Sequence, residues 1–225
     1  MTMMIIFRKW GDLIMTGFDP MLVTTSINNV NNAYNELMRA LINDTQSKFI
    51  NPMAMYWACN SAQKFFTEAL EPSVTSQANG VNTIFESVVS AMNDAARAWA
   101  AQTETSYSPV GFTPNTSKVD VSGVQENING VRGIDKANAT STVSVLSSIQ
   151  ASVESALNSA KQAVSNCGFV GDAQAETLIG SLDRIKTNIS TATKDLTSAV
   201  NSAIENTVAS YGDTAGKVSE AFSGN

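Results

Sequence analysis

The sequence predicts an all-α protein, an elongated four-helix bundle made of two tandem helical hairpins. Apolar residues recur at intervals of three and four over long stretches, which is the period of a one-sided helix, and no β-type alternation of useful length is present. The second half of the chain also repeats the pattern of the first half after a shift of 112 residues. Much of the hydrophobic share of 43% is alanine, which favours closely packed helices over a thick core.

The internal repeat needs no gap. It pairs residues of similar size and polarity in the two halves: Trp57 with Phe169, Tyr34 with Leu146, Leu70 with Leu182, Val88 with Val200, and Trp99 with Tyr211. Few residues are identical, as expected of an old duplication in which only the packing of the core was kept. We therefore interpret the halves as two copies of one unit, a pair of long helices joined at a turn that contains an aromatic residue.

Pattern and composition divide the chain into five segments. They are an N-terminal extension (1–19), a first helical hairpin (20–106), a linker (107–133), a second helical hairpin (134–212) and a flexible C-terminal tail (213–225). The linker is marked by Pro109, Pro114, several glycines and a high density of Asn and Ser, which break helical periodicity.

The first hairpin is predicted to contain two one-sided helices. Asp19 followed by Pro20 provides a cap and first turn, and Pro52 is expected to end the first helix because proline lacks an N–H donor. In the second helix we expect a bend or break near Glu71, because an interior Pro72 costs about 3 kcal/mol. The predicted core stripes are Val23, Ile27, Val30, Tyr34, Leu37, Leu41 and Phe49, then Phe66, Leu70, Val74, Val81, Ile84, Val88, Met92, Ala95 and Trp99.

In the second hairpin, helical periodicity resumes at Ile134. Asp172 is predicted to cap the last helix, and the chain is expected to fray beyond Gly212. The core stripes are Val143, Leu146, Ile149, Val153, Leu157 and Val164, then Leu178, Leu182, Ile185, Ile189, Leu196, Val200, Ile204, Val208 and Tyr211. We expect the helix-end aromatics Trp99 and Tyr211 to belong to the core and not to bind a ligand.

Composition argues against nucleic-acid binding and against catalysis. Lys and Arg number 14 against 20 Asp and Glu, and no basic cluster with interleaved aromatics is present. Histidine is absent, so the usual general base is missing, and no paired carboxylates, phosphate-binding glycine loop or metal-ligand cluster replaces it. We therefore predict no catalytic residue, no cofactor-binding residue and no metal ligand.

Membrane insertion and a cleavable leader are not expected either. The apolar stretch near the N-terminus is too short for a membrane helix, and Arg8 and Lys9 follow it where a secretory signal has its basic residues first. No other window approaches the roughly 18 apolar residues that a membrane helix requires. Cys59 and Cys167 match no zinc spacing and form no disulfide framework, so we expect free thiols.

The two predicted turns carry related motifs. The first reads YWACNSAQKFF and the second GFVGDAQAETL, so that the repeat places Trp57 and Cys59 opposite Phe169 and Gly171. An aromatic residue, one spacer and a small residue between two long helices resembles the WXG superfamily, leaderless helical hairpins of about a hundred residues exported by type VII secretion systems. The resemblance implies that the aromatic residue packs between the helix ends, and that the small residue permits a tight reversal at positive φ. Ordinary core packing of Trp57 and Phe169 is the alternative.

A second mark of the family is missing. Family members carry a Tyr followed four positions later by Asp or Glu, whereas Tyr211 is followed at that spacing by Ala215, and Tyr107 by Gly111. If the resemblance holds, a partner chain would have to supply this export signal.

The resemblance also implies an arrangement of the hairpins. Because family members dimerise as antiparallel hairpins, the tandem chain is expected to form the same bundle alone, with the termini of the second hairpin beside the first turn. A linker of roughly 25 residues can span some 80 Å, which is long enough for this crossover. Cys59 and Cys167 would then lie at opposite ends and would not pair.

These observations predict a noncatalytic helical interaction protein. The resemblance implies a protein that is secreted or at the cell surface without a cleavable signal peptide, or that escorts a secreted partner, and that acts by docking a helical protein partner or by self-association. The alternative is a self-assembling structural protein, such as a filament or phage virion component, which the low-charge Ser/Thr/Asn-rich surface also suits. A pore-forming toxin is disfavoured because no apolar hairpin is present.

Overall fold

The computed structural model describes residues 18–168 and 173–223. It is mostly helical (78%) with very little sheet, which confirms the prediction of an all-α fold. In chain order the elements are α1 (Pro20–Met38), π1, a π-helical segment (Arg39–Ile50), α2 (Asn51–Tyr56), β1 (Trp57–Ala58), α3 (Asn60–Phe65), a second π-helical segment, π2 (Phe66–Leu70), α4 (Glu71–Gln102), β2 (Gly133–Ile134), α5 (Lys136–Val143), α6 (Val145–Ser165) and α7 (Ala173–Ser223).

The first helix begins where the sequence predicts. The Asp19 carboxylate accepts hydrogen bonds from the backbone N–H groups of Met21 (2.9 Å) and Leu22 (3.1 Å), which have no partner inside the helix. This confirms the cap at Asp19 and places Pro20 in the first turn, where its missing N–H costs little.

Pro52 and Pro72 each lie just after the point where a π-helical segment gives way to an α-helix. The prediction that Pro52 ends the first helix is wrong: π1 gives way to α2 at Asn51, and the chain stays helical to Tyr56. Pro52 lies in the first turn of α2, where its missing donor is tolerated. The prediction of a break near Glu71 is wrong as well: π2 gives way directly to α4, and Glu71 keeps right-handed helical angles (φ −59°, ψ −45°).

Most of the predicted core is buried. Every stripe residue predicted for the first helix is buried, as is the stripe from Val143 to Val164. In α4 the buried row is Val81, Phe85, Val88, Met92 and Ala96, whereas Ile84, Ala95 and Trp99 are half-buried. In α7 the predicted residues from Leu178 to Ile204 are buried, Val208 is half-buried and Tyr211 is exposed.

The last helix extends beyond the predicted tail boundary. α7 continues to Ser223, although the sequence predicts fraying after Gly212. A single glycine inside a helix costs about 1 kcal/mol relative to alanine, and no proline follows that would end the helix.

The chain divides into two compact units. Among the described residues, one unit contains 18–38, 79–116, 153–168 and 173–187, and the other contains 39–78, 117–152 and 188–223. Each unit therefore draws segments from both predicted hairpins. In the first unit α1 meets α4 through Tyr34, whose hydroxyl donates to the Asn82 side-chain oxygen at 2.6 Å and whose ring lies 5.4 Å from that of Phe85. In the second unit Gln150 of α6 donates to the Ser190 hydroxyl of α7 at 3.0 Å.

Residues 107–116, here called the strap, are bound to α4 of the first unit by amide side chains. Asn93 donates to the Val110 carbonyl and accepts from the Val110 N–H, both at 2.9 Å. It also accepts from the Tyr107 hydroxyl at 2.7 Å. Further along, Asn82 donates to the Asn115 carbonyl at 3.0 Å. The linker is therefore docked on the helix at these points.

Contacts with α1 complete the binding of the strap. The Asn115 N–H donates to the Tyr34 hydroxyl, and Asn31 donates to the Gly111 carbonyl at 2.9 Å. The Phe112 ring packs edge-on against Tyr34 with ring centroids 4.8 Å apart. Burial raises the pKa of the Tyr34 hydroxyl, and the hydrogen bond from the Asn115 backbone lowers it to a smaller extent.

In the second unit, the linker is attached in a similar way. Gln46 of π1 accepts from the Asp120 N–H at 2.6 Å and donates to the Asp120 carbonyl at 2.9 Å. Nearby Val119, Val121 and Val124 are buried. One amide side chain thus pairs with both main-chain groups of one residue, as Asn93 does with Val110.

We predict that Asn93→Ala destabilises the fold and loosens the strap. The substitution leaves both main-chain groups of Val110 and the Tyr107 hydroxyl without a partner, at a cost of about 1–3 kcal/mol. Urea unfolding measures the loss, and faster amide hydrogen exchange at Val110 locates it. Asn158→Ala, at an exposed position of α6, is the matched control and should leave stability unchanged or slightly higher because alanine favours helix. Equal effects of the two substitutions would contradict this account.

Candidate functional site

The reversal at Trp57 is the candidate site, because it contains the motif that the sequence singles out. The backbone N–H of Trp57 caps α2 by donating to the Met53 carbonyl. Ala58 and Cys59 continue the chain in extended conformation, and α3 begins at Asn60. Cys59 has φ −168° and ψ 170°, which is extended backbone that any residue adopts. The expectation that a small residue is needed here for positive φ is therefore wrong. The small side chain of Cys59 instead suits the buried position that it occupies.

Trp57 belongs to a cluster of four aromatic rings in which Phe66 contacts the other three. The fully buried Trp57 ring stacks on Phe65 at 5.9 Å and meets the edge of Phe66 at 6.2 Å. Phe66 in turn stacks on Phe49 of π1 at 6.0 Å. The cluster thus joins the helical segments before and after the reversal, and each such aromatic pair contributes about 0.5–1.5 kcal/mol beyond its burial.

The indole N–H of Trp57 is buried and has no hydrogen-bond partner among the described residues. An unpaired buried donor costs about 1–3 kcal/mol, so the ring is retained for its packing and not for a polar contact.

The beginning of the second half is paired with this reversal. β1 and β2 form a two-stranded antiparallel sheet in which Trp57 pairs with Ile134 and Ala58 with Gly133. The Asp135 N–H extends the pairing by donating to the Tyr56 carbonyl at 2.7 Å. The Asp135 carboxylate then caps α5 by accepting from the Asn138 N–H at 3.1 Å. The sequence did not predict this pairing.

An exposed apolar surface lies next to the small sheet. Asn129 (φ 52°) and Gly130 (φ 80°) form a tight turn with the two positive φ values of type I′, and Ile128 and Val131 exchange two main-chain hydrogen bonds of 2.9 Å. Ile128 is 38% and Val131 69% exposed, and Met55 of α2 is 64% exposed. These three residues line a groove of about 420 Å³ that also contains parts of β1 and β2.

A second groove, of about 430 Å³, lies beside Cys59 and the part of α7 from Ala203 to Tyr211. The Cys59 thiol contacts the Ser61 hydroxyl at 3.0 Å, and Ser61 lies 3.0 Å from the Thr207 hydroxyl. Arg132 is the one charged residue among those lining the groove, and it is paired with Glu126 at 3.1 Å. Among its described lining residues, the groove offers hydroxyl groups and apolar surface for binding.

Cys59 and Cys167 are both buried, and no disulfide joins them. The Cys167 thiol donates to the Val164 carbonyl at 2.8 Å. Among the described residues, no group of three or more Cys, Asp or Glu side chains is placed to hold a metal ion.

The other predicted site residues have different outcomes. Phe169, Gly171 and the predicted cap Asp172 lie outside the described residues. Trp99 is half-buried near the end of α4. The expectation that Tyr211 belongs to the core is wrong, because it is 40% exposed at the edge of the groove beside Cys59, where its hydroxyl can remain hydrated.

Comparisons with known proteins add no further evidence about the site. No family model, no curated protein and no solved structure matches the chain. Within the described ranges, no helix has both the length and the apolar character needed to cross a membrane.

We predict that Trp57→Ala lowers the free energy of unfolding by about 3–5 kcal/mol, because it removes a fully buried ring from the aromatic cluster. Trp99→Ala is the matched control and should cost less than about 2 kcal/mol, since Trp99 retains contact with solvent. Urea unfolding followed by far-UV circular dichroism measures both. A loss for Trp57→Ala no larger than that for Trp99→Ala would contradict the assignment of Trp57 as the centre of the reversal.

The cap at Asp135 should be visible in its titration. Hydrogen bonds from the Asn138 backbone and then from its side chain hold the pKa of the Asp135 carboxyl below its ordinary value of 3.8. Because the pKa is lower in the folded state, the cap is complete above pH 3.8 and its contribution is lost as the pH falls through the folded-state pKa. NMR titration of the carboxyl carbon checks this, and Asn138→Ala should raise the pKa only in part. A titration midpoint at or above 3.8 would exclude the cap.

Proposed function

We propose that this chain is a noncatalytic helical interaction protein of WXG-like design, in which two tandem hairpins form a four-helix bundle with the second hairpin inverted. The bundle presents the reversal at Trp57 and its surroundings to a helical protein partner. The partner supplies the export signal that this chain lacks after Tyr211. The complex is secreted or displayed at the cell surface.

The observation that carries the proposal is the set of contacts made by the two ends of the second half. Its beginning pairs with the reversal through Ile134 and Trp57, and its last helix reaches the same reversal through Thr207 and Ser61. Both contacts lie within one compact unit. An inverted second hairpin requires these neighbours, whereas a simple up-down bundle would place the far turn there.

Contacts between α6 and α7 support the second hairpin. Lys161 pairs with Asp183 at 2.7 Å, and Glu154 with Lys186 at 3.7 Å. From the first pair to the second, the residue number decreases on α6 and increases on α7, as it does between two antiparallel helices. These pairs are partly exposed, so they specify register more than they add stability.

The surface suited to a partner is the apolar one formed by Met55, Ile128 and Val131. Large aliphatic side chains held in solvent by a tight turn are typical of interaction surfaces. A helix with an apolar stripe is the partner expected for a protein of this design. The mechanism is therefore docking by shape and apolar contact, without chemistry.

Self-assembly into a filament or virion component is the second candidate. The low proportion of charged residues, 15%, favours it because few like charges oppose the stacking of copies. Light scattering on the purified chain separates the candidates: an interaction protein gives a mass near 23.9 kDa or a small multiple, and a structural protein gives large polymers.

A disulfide between Ser61→Cys and Thr207→Cys tests the inverted arrangement. The two hydroxyl oxygens are 3.0 Å apart, so the substituted thiols should oxidise readily within one chain. The variants are made with Cys59→Ala and Cys167→Ala to remove competing thiols. We expect faster migration on non-reducing gels at low protein concentration, and no change in either single variant. Failure of the double variant to close would contradict the arrangement.

Export is tested in the native host. Culture supernatants of the wild type and of a strain without its type VII secretion ATPase are compared for the protein, with a cytosolic protein as a lysis control. We expect the protein in the supernatant of the wild type alone. Retention in cells of both strains would remove the export part of the proposal and leave the helical arrangement to the disulfide test.

A further inference from the structure

α4 ends in a strained turn just before the strap. The Thr103 N–H makes a normal helical bond to the Trp99 carbonyl. The Thr105 N–H then reaches back five residues to the Ala100 carbonyl at 2.9 Å, which is the longer-range bond of the Schellman motif. This pattern places one residue in the left-handed region, and here it is Glu104 with φ 53°. Glycine is preferred at that position because a Cβ there lies too close to the following carbonyl oxygen.

The strap is bound mainly through its main chain. Asn93 pairs with both main-chain groups of Val110, and Tyr34 and Asn82 together pair with both groups of Asn115. Five extended residues between Val110 and Asn115 cover about 16 Å, and the eleven helical residues between Asn82 and Asn93 cover the same length. Asn82 and Asn93 on α4 are therefore spaced to match Asn115 and Val110 of an extended strap.

We propose that this surface also accepts the strap of a second copy of the chain, so that two copies exchange everything after Glu104. When the hinge at Glu104 opens, residues 107–223 leave their own first half and bind that of the second copy. The same hydrogen bonds and apolar contacts form in the exchanged dimer, and Glu104 is released from the left-handed region. The inference rests on the tandem arrangement proposed above.

The balance between the two forms follows from hinge strain and concentration. A single chain is favoured when dilute because its halves are tethered, and exchange becomes favourable as the protein concentration approaches the effective concentration of the tether, about 1 mM. Relief of strain at each of the two hinges favours the dimer by a factor of about 5 per hinge, or about 25 per dimer. The strap of a second copy would make the same contacts with α1 and α4 that the strap makes within one chain.

The experiment uses two full-length variants, Ser61→Cys and Thr207→Cys, each with Cys59→Ala and Cys167→Ala. They are mixed, unfolded in urea, refolded together at increasing concentration and then oxidised. Only exchange brings Cys at position 61 of one copy beside Cys at position 207 of the other, so a covalent heterodimer on a non-reducing gel reports it. We expect its yield to rise with refolding concentration. Ser159→Cys, an exposed residue of α6, replaces the Thr207 variant in the control mixture and should give only background.

The role of the hinge is tested in the same assay. Glu104→Gly removes the strain of the closed turn and should lower the equilibrium constant for exchange by about 25-fold. Glu104→Gln removes the charge but keeps the side chain, and should exchange as the wild type does. Heterodimer at the background level at every concentration would overturn the proposal, and equal yields for the Gly and Gln variants would overturn the role of Glu104. If the intrachain disulfide of the double variant forms while the heterodimer does not, only the exchange is contradicted.

Discussion

Burial of Trp57 is the constraint on which the arrangement of the chain depends. Its ring packs against Phe65 and Phe66, which come after the reversal. Phe66 in turn packs against Phe49, which comes before it. With the side chain fixed, the two extended residues of β1 present main-chain groups at one edge, and β2 pairs with them. The start of the second half is therefore set by the same residue that caps the end of α2. Such coupling explains why an unpaired indole N–H is tolerated there.

The linker is held by a different means. Asn and Gln side chains carry a donor and an acceptor, so one of them can pair with both main-chain groups of a passing residue, as a strand does. Asn93 does so for Val110, and Gln46 for Asp120. This binding needs few specific residues in the linker itself. It makes an otherwise irregular segment part of the packed structure, together with the packing of Phe112 and the buried Val119, Val121 and Val124.

Helices and core could be predicted from the sequence because their signals are local and periodic. The stripe from Val23 to Phe49 and the cap at Asp19 depend on spacing and on the chemistry of a few neighbouring residues. The two-residue pairing of β1 with β2 has no period and could not be seen. Pro52 was misleading because the effect of a proline depends on whether it falls in a first turn, which the preceding π1 segment decides.

For the candidate site, the sequence indicated the position of Trp57 and its burial, but not the geometry of Cys59 or the exposure of Tyr211. Backbone angles at a short reversal depend on what packs against it. The role of Asn82 and Asn93 left a signal that was not used: asparagine is a poor helix former, and its presence inside a helix indicates a side chain needed for another contact.

Paramagnetic relaxation measured by NMR tests the inverted tandem arrangement most directly. A spin label is attached at position 61 in the chain without its native cysteines, and the broadening of amide signals is read along the second half. The account predicts strong broadening around Gly133 and Thr207 and none around Gly168 or Ala175. Broadening around Gly168 and Ala175 instead would place the second turn beside the first and contradict it.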